Sequence, residues 1–187
     1  TCAISNAFVT YQTAMALDTS GQAWCWGENQ CGEFGDNSVT DKYTPTRMCQ
    51  GGRTFCQIYI GNDFGVALDN TGFAYSWGHN AYGKLGINFG DSTTYYSSPV
   101  AVCMGGRTFC QIAKGSYDFA LVLDNLGAAW SWGVNTSGRL GIQVTAASSC
   151  FSPMAVCMGG RTFCQIASSY DNGIGLDQNG QAWAWGF

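Results

Sequence analysis

The stretch GGRTFCQI occurs three times in this chain, at residues 51–58, 105–112 and 159–166. Two shorter patterns recur alongside it at a similar spacing, with intervals of 51, 55 and 53 residues. Leu-Asp-x-x-Gly begins at Leu17, Leu68, Leu123 and Leu176, and aromatic-x-Trp-Gly ends at Gly27, Gly78, Gly133 and Gly186. A fixed period of this size is typical of repeat architectures. The sequence therefore predicts a single segment of repeats, at about 1–54, 55–108 and 109–162, with a partial repeat at 163–187.

Each repeat divides into four short β-rich stretches, as the second one shows. Residues 55–60 and 64–69 flank a turn, and Asp69-Asn70-Thr71-Gly72 has the composition of a tight turn leading into 73–78. A polar loop follows, and Pro99 opens the last stretch, 99–104. No useful length has the 3.6-residue period of an amphipathic helix. Four strands per repeat predict an all-β fold, a β-propeller of four-stranded antiparallel blades, and strict recurrence favours it over a sandwich.

The composition excludes some classes of protein. Charged residues make up 11% of the chain, against roughly 25% in an ordinary soluble domain. The net charge of −4 argues against a nucleic-acid groove, which needs clustered positive charge. No apolar run approaches the roughly 20 residues of a membrane helix. We therefore expect no nucleic-acid partner and no membrane insertion.

The order of motifs resembles the repeats of the regulator of chromosome condensation family. The resemblance is carried by LDNTGFAYSWGHNAYGKLG (68–86) and LDNLGAAWSWGVNTSGRLG (123–141), followed by SPVAV and SPMAV respectively. That family typically forms a seven-bladed propeller, so the resemblance implies about three and a half repeats of a longer ring. A short chain completed by oligomerisation is the alternative.

The sequence also departs from that family. Its repeats often carry a histidine in the second strand, where this chain has Thr13, Phe64, Phe119 and Asn172. The one histidine, His79, follows a Trp-Gly pair instead. Family members that exchange nucleotide on a small GTPase use particular loops, and none of these can be placed here. The resemblance implies the fold more strongly than the exchange activity.

Ten cysteines suggest a disulfide framework. Three pairs flank the repeated Gly-Gly-Arg-Thr stretch, namely Cys49 with Cys56, Cys103 with Cys110, and Cys157 with Cys164. If that stretch is a hairpin loop, each pair is cross-strand, with Cβ atoms roughly 4 Å apart as a disulfide requires. Free thiols and zinc binding are the alternatives. A local bond between Cys25 and Cys31 is a further candidate, while Cys2 and Cys150 have no evident partner.

The sequence does not predict an enzyme. The recurrent Asp18, Asp69, Asp124 and Asp177 lie in turns, where a carboxylate caps its own backbone. Acid–base chemistry and calcium binding are the alternatives, but the spacing is too short for an EF-hand. No nucleophile motif is present, and the Gly-Gly-Arg tips lack the Lys-Ser/Thr of a phosphate loop. We therefore expect no cofactor and no metal site.

Binding residues are sought in the irregular loops, because function in such scaffolds concentrates there. The loops 36–44, 87–98 and 142–152 are polar and contain Tyr43, Tyr95 and Tyr96. Arg53, Arg107 and Arg161 form a second candidate set, as an arc that could grip a carboxylate or phosphate. Paired aromatics such as Trp130 and Trp132 are expected to pack between blades.

The predicted function is a non-enzymatic, disulfide-stapled module for binding or structure. Disulfides favour an extracellular, cell-surface or virion location, with a protein or glycan ligand and a homo-oligomer or larger assembly as partners. One alternative is an intracellular GTPase-binding scaffold or nucleotide exchange factor. Another is a purely architectural subunit of a filament or fibre.

Overall fold

Four antiparallel β-sheets follow one another in the computed structural model, which describes residues 4–10, 12–143 and 149–187. The first contains β1 (Ile4–Val9), β2 (Thr13–Asp18), β3 (Ala23–Gly27) and β4 (Lys42–Arg47). The second contains β5 (Phe55–Ile60), β6 (Phe64–Asp69), β7 (Ala74–His79) and β8 (Tyr95–Ala101). The third contains β9 (Phe109–Ile112), β10 (Phe119–Asp124), β11 (Ala129–Val134) and β12 (Ser149–Ala155). The fourth contains β13 (Phe163–Ser168), β14 (Asn172–Asp177) and β15 (Ala182–Gly186).

Every strand pairs only with its neighbours in sequence, so each sheet is one blade. The predicted all-β architecture with four-stranded antiparallel blades is confirmed. Two single 3₁₀ turns, Ala81–Gly83 and Thr136–Gly138, interrupt the long loops after the third strands of blades 2 and 3. Among the described residues, no helix has the length and apolar character needed to span a bilayer.

The Leu-Asp-x-x-Gly motif forms the tight turn between the second and third strands. In blade 3, the N–H of Gly127 donates to the carbonyl of Asp124. Gly127 has a φ of 81°, a left-handed backbone conformation in which a residue with a side chain would be strained. The Asp124 carboxylate accepts from the backbone N–H groups of Leu126 (2.8 Å) and Ala128 (2.9 Å). The predicted backbone-capping role of these aspartates is therefore confirmed.

In blades 2, 3 and 4, the tryptophan of the Trp-Gly pair bonds to the preceding blade. Trp132 is fully buried, and its indole N–H donates to the carbonyl of Lys84 in the preceding blade at 2.8 Å. Trp77 does the same to Glu33 at 2.6 Å. The residue paired with Trp77 across the strands is Gly65, where a Cβ would come within 2.3 Å of the ring. These contacts confirm the predicted packing between blades.

Glutamine side chains join the first strands of neighbouring blades, which belong to different sheets. The Gln57 amide donates to Cys110 O at 2.6 Å and accepts from Ile112 N at 2.9 Å. Gln111 bonds the carbonyl and N–H of Ile166 in the same way, at 2.9 and 3.1 Å. These amides replace the backbone ladder that separate sheets cannot form.

The apolar core lies in three clusters, each at a seam between blades. The first seam contains Met15, Phe55 and Trp77. The second contains Phe64, Val102 and Trp132, and the third contains Phe119, Leu140 and Phe163. Burial at the seams fixes the blades side by side, so the connections between strands are held at the two ends of the stack.

Candidate protein-binding face

Antiparallel strands divide the connections between two ends of the blades. The first end, here called the linker face, carries the Asp turns and the linkers 48–54, 102–108 and 156–162 that join blades. The opposite end, the loop face, carries the turns 61–63, 113–118 and 169–171 and the long loops 28–41, 80–94 and 135–143. Residues 10 and 12, which precede the second strand of blade 1, also lie there.

The arginines of the linker face are already engaged within their own blades. The Arg107 guanidinium lies 3.8 Å from the centre of the Trp130 ring, and its Nη1 donates to Met104 O at 2.9 Å. The Trp130 indole donates to the Asp124 carboxylate at 2.9 Å. Such stacking over an aromatic face is a cation–π interaction.

The other two candidate arginines repeat this arrangement. Arg53 lies 4.4 Å from the Tyr75 ring and Arg161 lies 3.7 Å from the Trp183 ring. Ligand binding by Arg53, Arg107 and Arg161 stays a prediction. The structure places all three on the linker face, away from the candidate tyrosines.

The Asp turn of the last blade shows the electrostatics of this face. The indole N–H of Trp183 donates to the Asp177 carboxylate and, with the backbone N–H of Gln181, holds the pKa of that group below its ordinary 3.8. The charged form is favoured because donors point at it.

The disulfide prediction rested on a register that the structure does not have. It required the strands on either side of each Gly-Gly-Arg-Thr stretch to pair as a hairpin. Instead β4 pairs with β3, and β5 pairs with β6 in the next blade. All six cysteines of the predicted staples are free thiols, so the pairing fails for Cys49 with Cys56, for Cys103 with Cys110, and for Cys157 with Cys164.

The last of these predicted staples shows where the thiols lie instead. Cys164 is in β13, and its Sγ lies 3.4 Å from Leu176 O in the second strand of the same blade. Cys157 belongs to the linker that follows β12, in the preceding blade. Both Cys157 and Cys164 are exposed free thiols, and the disulfide predicted between them is not formed.

The remaining cysteines are also unbonded where they are described. Cys25 is buried at the position that Ser76 and Ser131 occupy in the next blades. Its Sγ lies 3.5 Å from Phe34 O. In blade 3 the Ser131 hydroxyl donates to the carbonyl at the equivalent position, Leu140. The candidate bond between Cys25 and Cys31 is therefore not formed. Cys150 is a free thiol, and Cys2 lies outside the described residues.

The three candidate tyrosines lie at the loop-face ends of outer strands. Tyr43 in β4 is 94% exposed, and Tyr95 and Tyr96 open β8, where Tyr95 is 49% exposed. The predicted loops 36–44 and 87–98 also lie on this face, and loop 142–152 extends over residues outside the described part of the chain. A binding role for these residues stays a prediction.

A cavity of about 530 Å³ opens on the loop face where the first strands end. The Phe8 and Tyr59 rings meet edge to face in its wall, with centroids 6.1 Å apart. The Lys114 ammonium lies 4.7 Å from the Phe8 ring. Tyr59 donates to Ser116 O at 2.6 Å, and burial raises its pKa. Sequence reasoning missed these residues, because they lie at strand ends that differ between repeats.

The two faces carry very different charge. The linker face is balanced, with four carboxylates and four arginines, namely Asp18, Asp69, Asp124, Asp177, Arg47, Arg53, Arg107 and Arg161. The loop face has eight acidic residues, which are Glu28, Glu33, Asp36, Asp41, Asp63, Asp91, Asp118 and Asp171. Its basic residues are Lys42, Lys84, Lys114 and Arg139. The entire formal charge of −4 therefore lies on the loop face.

The loop-face charges also differ from blade to blade at one repeated position. Lys84 is buried and bonds the carboxylates of Asp63 and Asp118, the latter at 3.2 Å. Arg139 takes the same place in blade 3, 2.6 Å from an Asp171 oxygen. Blade 1 has Glu33 there, and burial raises the pKa of its carboxyl.

A cysteine, an aspartate and the histidine meet near Glu33, at the seam of blades 1 and 2. The Sγ of Cys31, a carboxylate oxygen of Asp63 and a ring nitrogen of His79 all lie within 4.8 Å of one another. His79 Nδ1 is 2.9 Å from Asp63 Oδ2, and its Nε2 is 3.1 Å from Ser92 O. Burial raises the pKa of the Cys31 thiol.

Comparison with known proteins agrees with this architecture. Family models described as the regulator of chromosome condensation (RCC1) repeat match residues 8–33 and 127–174. The chain contains RCC1 repeats in these two stretches. Human protein RCC2 is 28% identical over 130 residues, which cover 68% of this chain and 24% of RCC2. The ultraviolet-B receptor UVR8 of Arabidopsis thaliana is 28% identical over 173 residues, 90% of this chain and 38% of UVR8.

Solved structures of yeast RCC1 (Prp20) share the fold. Prp20 bound to Kap60 superposes with a TM-score of 0.84 at 21% identity, covering 100% of this chain and 44% of that one. A second structure, of Prp20p from Saccharomyces cerevisiae, is described together with its binding to Gsp1p and histones. It superposes with a TM-score of 0.61 at 18% identity, covering 98% of this chain and 58% of that one. The chain spans well under two thirds of the curated relatives RCC2 and UVR8.

These relatives correct the predicted location and function. RCC2, Prp20 and UVR8 are intracellular proteins of the nucleus or cytosol. The prediction of an extracellular, cell-surface or virion module is therefore wrong. The disulfides that motivated it are also missing from the described part of the chain. RCC1-type propellers are mostly regulators without enzymatic activity, and they bind proteins.

Proposed function

We propose that this chain belongs to an intracellular, non-enzymatic scaffold that binds a protein partner through its loop face. The observation that carries the proposal is the placement of charge. All of the net charge of −4 lies on the loop face, whereas the linker face is balanced. A surface of one sign steers a partner of opposite sign and sets its orientation. The partner surface is therefore basic.

The cavity in the loop face suits a basic anchor side chain from such a partner. Its wall offers the Phe8 and Tyr59 rings, and Glu28 and Glu33 also line it. A guanidinium stacks on aromatic rings and pairs with carboxylates. Arginine is also among the residues that dominate binding energy in interfaces. Lys114 already contacts the Phe8 ring, so a partner's cation competes with it there.

A small GTPase is the first partner class to test, because Prp20p is described as binding Gsp1p. Histones are the second, and the acidic loop face favours them as strongly basic proteins. Binding and nucleotide release are separate properties. We propose binding for this chain, and nucleotide release by Gsp1p is a further readout.

The test compares two double variants that change charge equally on opposite faces. Glu28→Gln with Asn62→Lys alters the loop face, and both residues line the cavity. Asn70→Lys with Gln178→Lys alters exposed turn residues of the linker face. Binding of GDP-loaded Gsp1p and of histones to the full chain is measured by calorimetry at low and physiological salt.

We expect the loop-face variant to weaken binding about tenfold or more at low salt, and added salt to shrink the difference. The linker-face variant should stay within about twofold of the parent chain. Equal loss in both variants, or no binding of either protein at low salt, would overturn the proposal.

A further inference from the structure

The seam of blades 1 and 2 departs from the repeat at positions that meet in space. Where blades 2 and 3 have Tyr82 and Ser137, blade 1 has Cys31. His79 is the one histidine in the chain, and it ends the third strand of blade 2. Neither residue is required by the repeated framework, so their convergence calls for a local chemical reason.

The three side chains present ligand atoms to one point. The Cys31 Sγ, an Asp63 oxygen and a His79 ring nitrogen lie within 4.8 Å of one another, and all three residues are half-buried. Residues 4–10, 12–143 and 149–187 contain no second such group. They come from the loop of one blade and from two segments of the next, so a bound ion would bridge the seam.

The contacts of His79 show which ring nitrogen faces Asp63. Its Nε2 lies 3.1 Å from the carbonyl of Ser92, which can only accept, so Nε2 carries a hydrogen. Its Nδ1 lies 2.9 Å from Asp63 Oδ2. A neutral ring in this tautomer points a lone pair at the carboxylate. Either a proton or a metal ion must lie between the two atoms.

We propose that Cys31, Asp63 and His79 bind one divalent transition-metal ion, with zinc preferred. Thiolate and imidazole favour zinc and similar metals over magnesium or calcium. Three protein ligands with a fourth open position are the composition of an accessible zinc site. The Nε2–H bond to a backbone carbonyl is the usual device that orients a metal-binding histidine. The thiol proton of Cys31 passes to solvent on binding.

The surrounding charges are compatible with a cation. The Glu33 carboxylate accepts the backbone N–H of Cys31 at 2.9 Å and adds a negative charge beside the thiol. Lys84 opposes a cation, but it bonds Oδ1 of Asp63 and reaches to Asp118, which leaves Oδ2 toward His79. The carboxylates of Glu33, Asp63 and Asp118 therefore outnumber the Lys84 ammonium.

The test is zinc binding by the chelator-treated full chain, with single variants. Cys31→Ser and His79→Gln remove one ligand each, and Cys56→Ser removes an exposed thiol of the linker face as a matched control. Zinc binding is followed by competition with a chromophoric chelator, and bound metal is counted by elemental analysis. Circular dichroism checks that each variant is folded. Cobalt substitution then reports on thiolate ligation through its charge-transfer absorption.

The proposal predicts about one tightly bound zinc ion per chain. It also predicts a melting temperature that rises with zinc, since an ion that binds only the folded state stabilises it. Cys31→Ser and His79→Gln should each weaken binding at least about tenfold and abolish that rise, while Cys56→Ser changes neither. Cobalt should show the thiolate band in the parent and in Cys56→Ser only. No zinc binding, or equal binding by Cys31→Ser and Cys56→Ser, would overturn the proposal.

Discussion

The linker face and the loop face are built from the same repeats but use their residues differently. On the linker face, the aspartate, aromatic and arginine of each blade satisfy one another, as Asp124, Trp130 and Arg107 do. On the loop face, equivalent positions differ in charge and chemistry, as Glu33 and Lys84 do. Residues that recur in every repeat hold the blades together. Residues that depart from the repeat are where binding is to be sought.

The largest effect is expected from breaking the seam that supports both faces. Trp132→Ala removes a fully buried ring and its bond to Lys84 O, and we expect a loss of about 4 kcal/mol in the free energy of unfolding. Urea unfolding followed by fluorescence measures it. Trp132→Phe keeps most of the packing and should lose about half as much. A loss below about 1 kcal/mol for the alanine variant would contradict the role given to this residue.

The next effect concerns the turn that organises the linker face. Asp124→Ala leaves two backbone N–H groups and the Trp130 indole without their acceptor, so we expect a loss of about 3 kcal/mol in unfolding free energy. The exposed Gln178→Ala provides the control and should change stability by less than about 0.5 kcal/mol. Similar unfolding curves for both variants would show that the turn does not depend on its carboxylate.

A smaller effect on the free energy of unfolding should distinguish the candidate arginines of the linker face from the candidate tyrosines of the loop face. Arg107→Ala should cost about 1 kcal/mol of unfolding free energy, because a cation–π contact and a backbone hydrogen bond are lost. Tyr43→Ala, 94% exposed on the loop face, should cost less than about 0.5 kcal/mol. Chemical unfolding of both variants tests this. The reverse ranking would remove the distinction between a structural and a free face.

The smallest effect is a dependence on pH. Donors from Trp183 and Gln181 hold the pKa of Asp177 below 3.8, so the folded chain favours the charged carboxylate. This stabilisation is fully present above the unfolded pKa, near 3.8, and is lost as pH falls through the lower folded value. Asp177→Asn should therefore make the acid unfolding curve, followed by fluorescence, less steep. An unchanged slope would mean that this turn does not contribute.

Most of the framework could be predicted from the sequence, because it depends on residues that recur. The Trp-Gly signature indicated packing between blades, and Trp77 and Trp132 occupy the seams as expected. The Asp turns followed from local turn chemistry. These features need no knowledge of distant parts of the chain.

The predictions that failed depend on which strands are partners in space. A local hairpin was inferred around Gly-Gly-Arg-Thr, but in a propeller the last strand of a blade and the first strand of the next lie in separate sheets. The pairing of Cys157 with Cys164 fails for that reason, as do the two equivalent pairings, and the extracellular location inferred from them is wrong.

The convergence of Cys31, Asp63 and His79 was missed because these residues come from different repeats. No local pattern brings them together, since their contact depends on how blade 1 packs against blade 2. Their signal in the sequence was the departure of Cys31 and His79 from the aligned pattern.

The most direct test of the division between faces is a hydrogen-exchange footprint of a bound partner. Amide exchange of the full chain is measured with and without histones, and with and without Gsp1p. The account predicts slower exchange in the loop-face segments 28–35, 61–63 and 113–118, with linkers 102–108 and 156–162 unchanged. Protection of those linkers, with the loop-face segments unaffected, would contradict it.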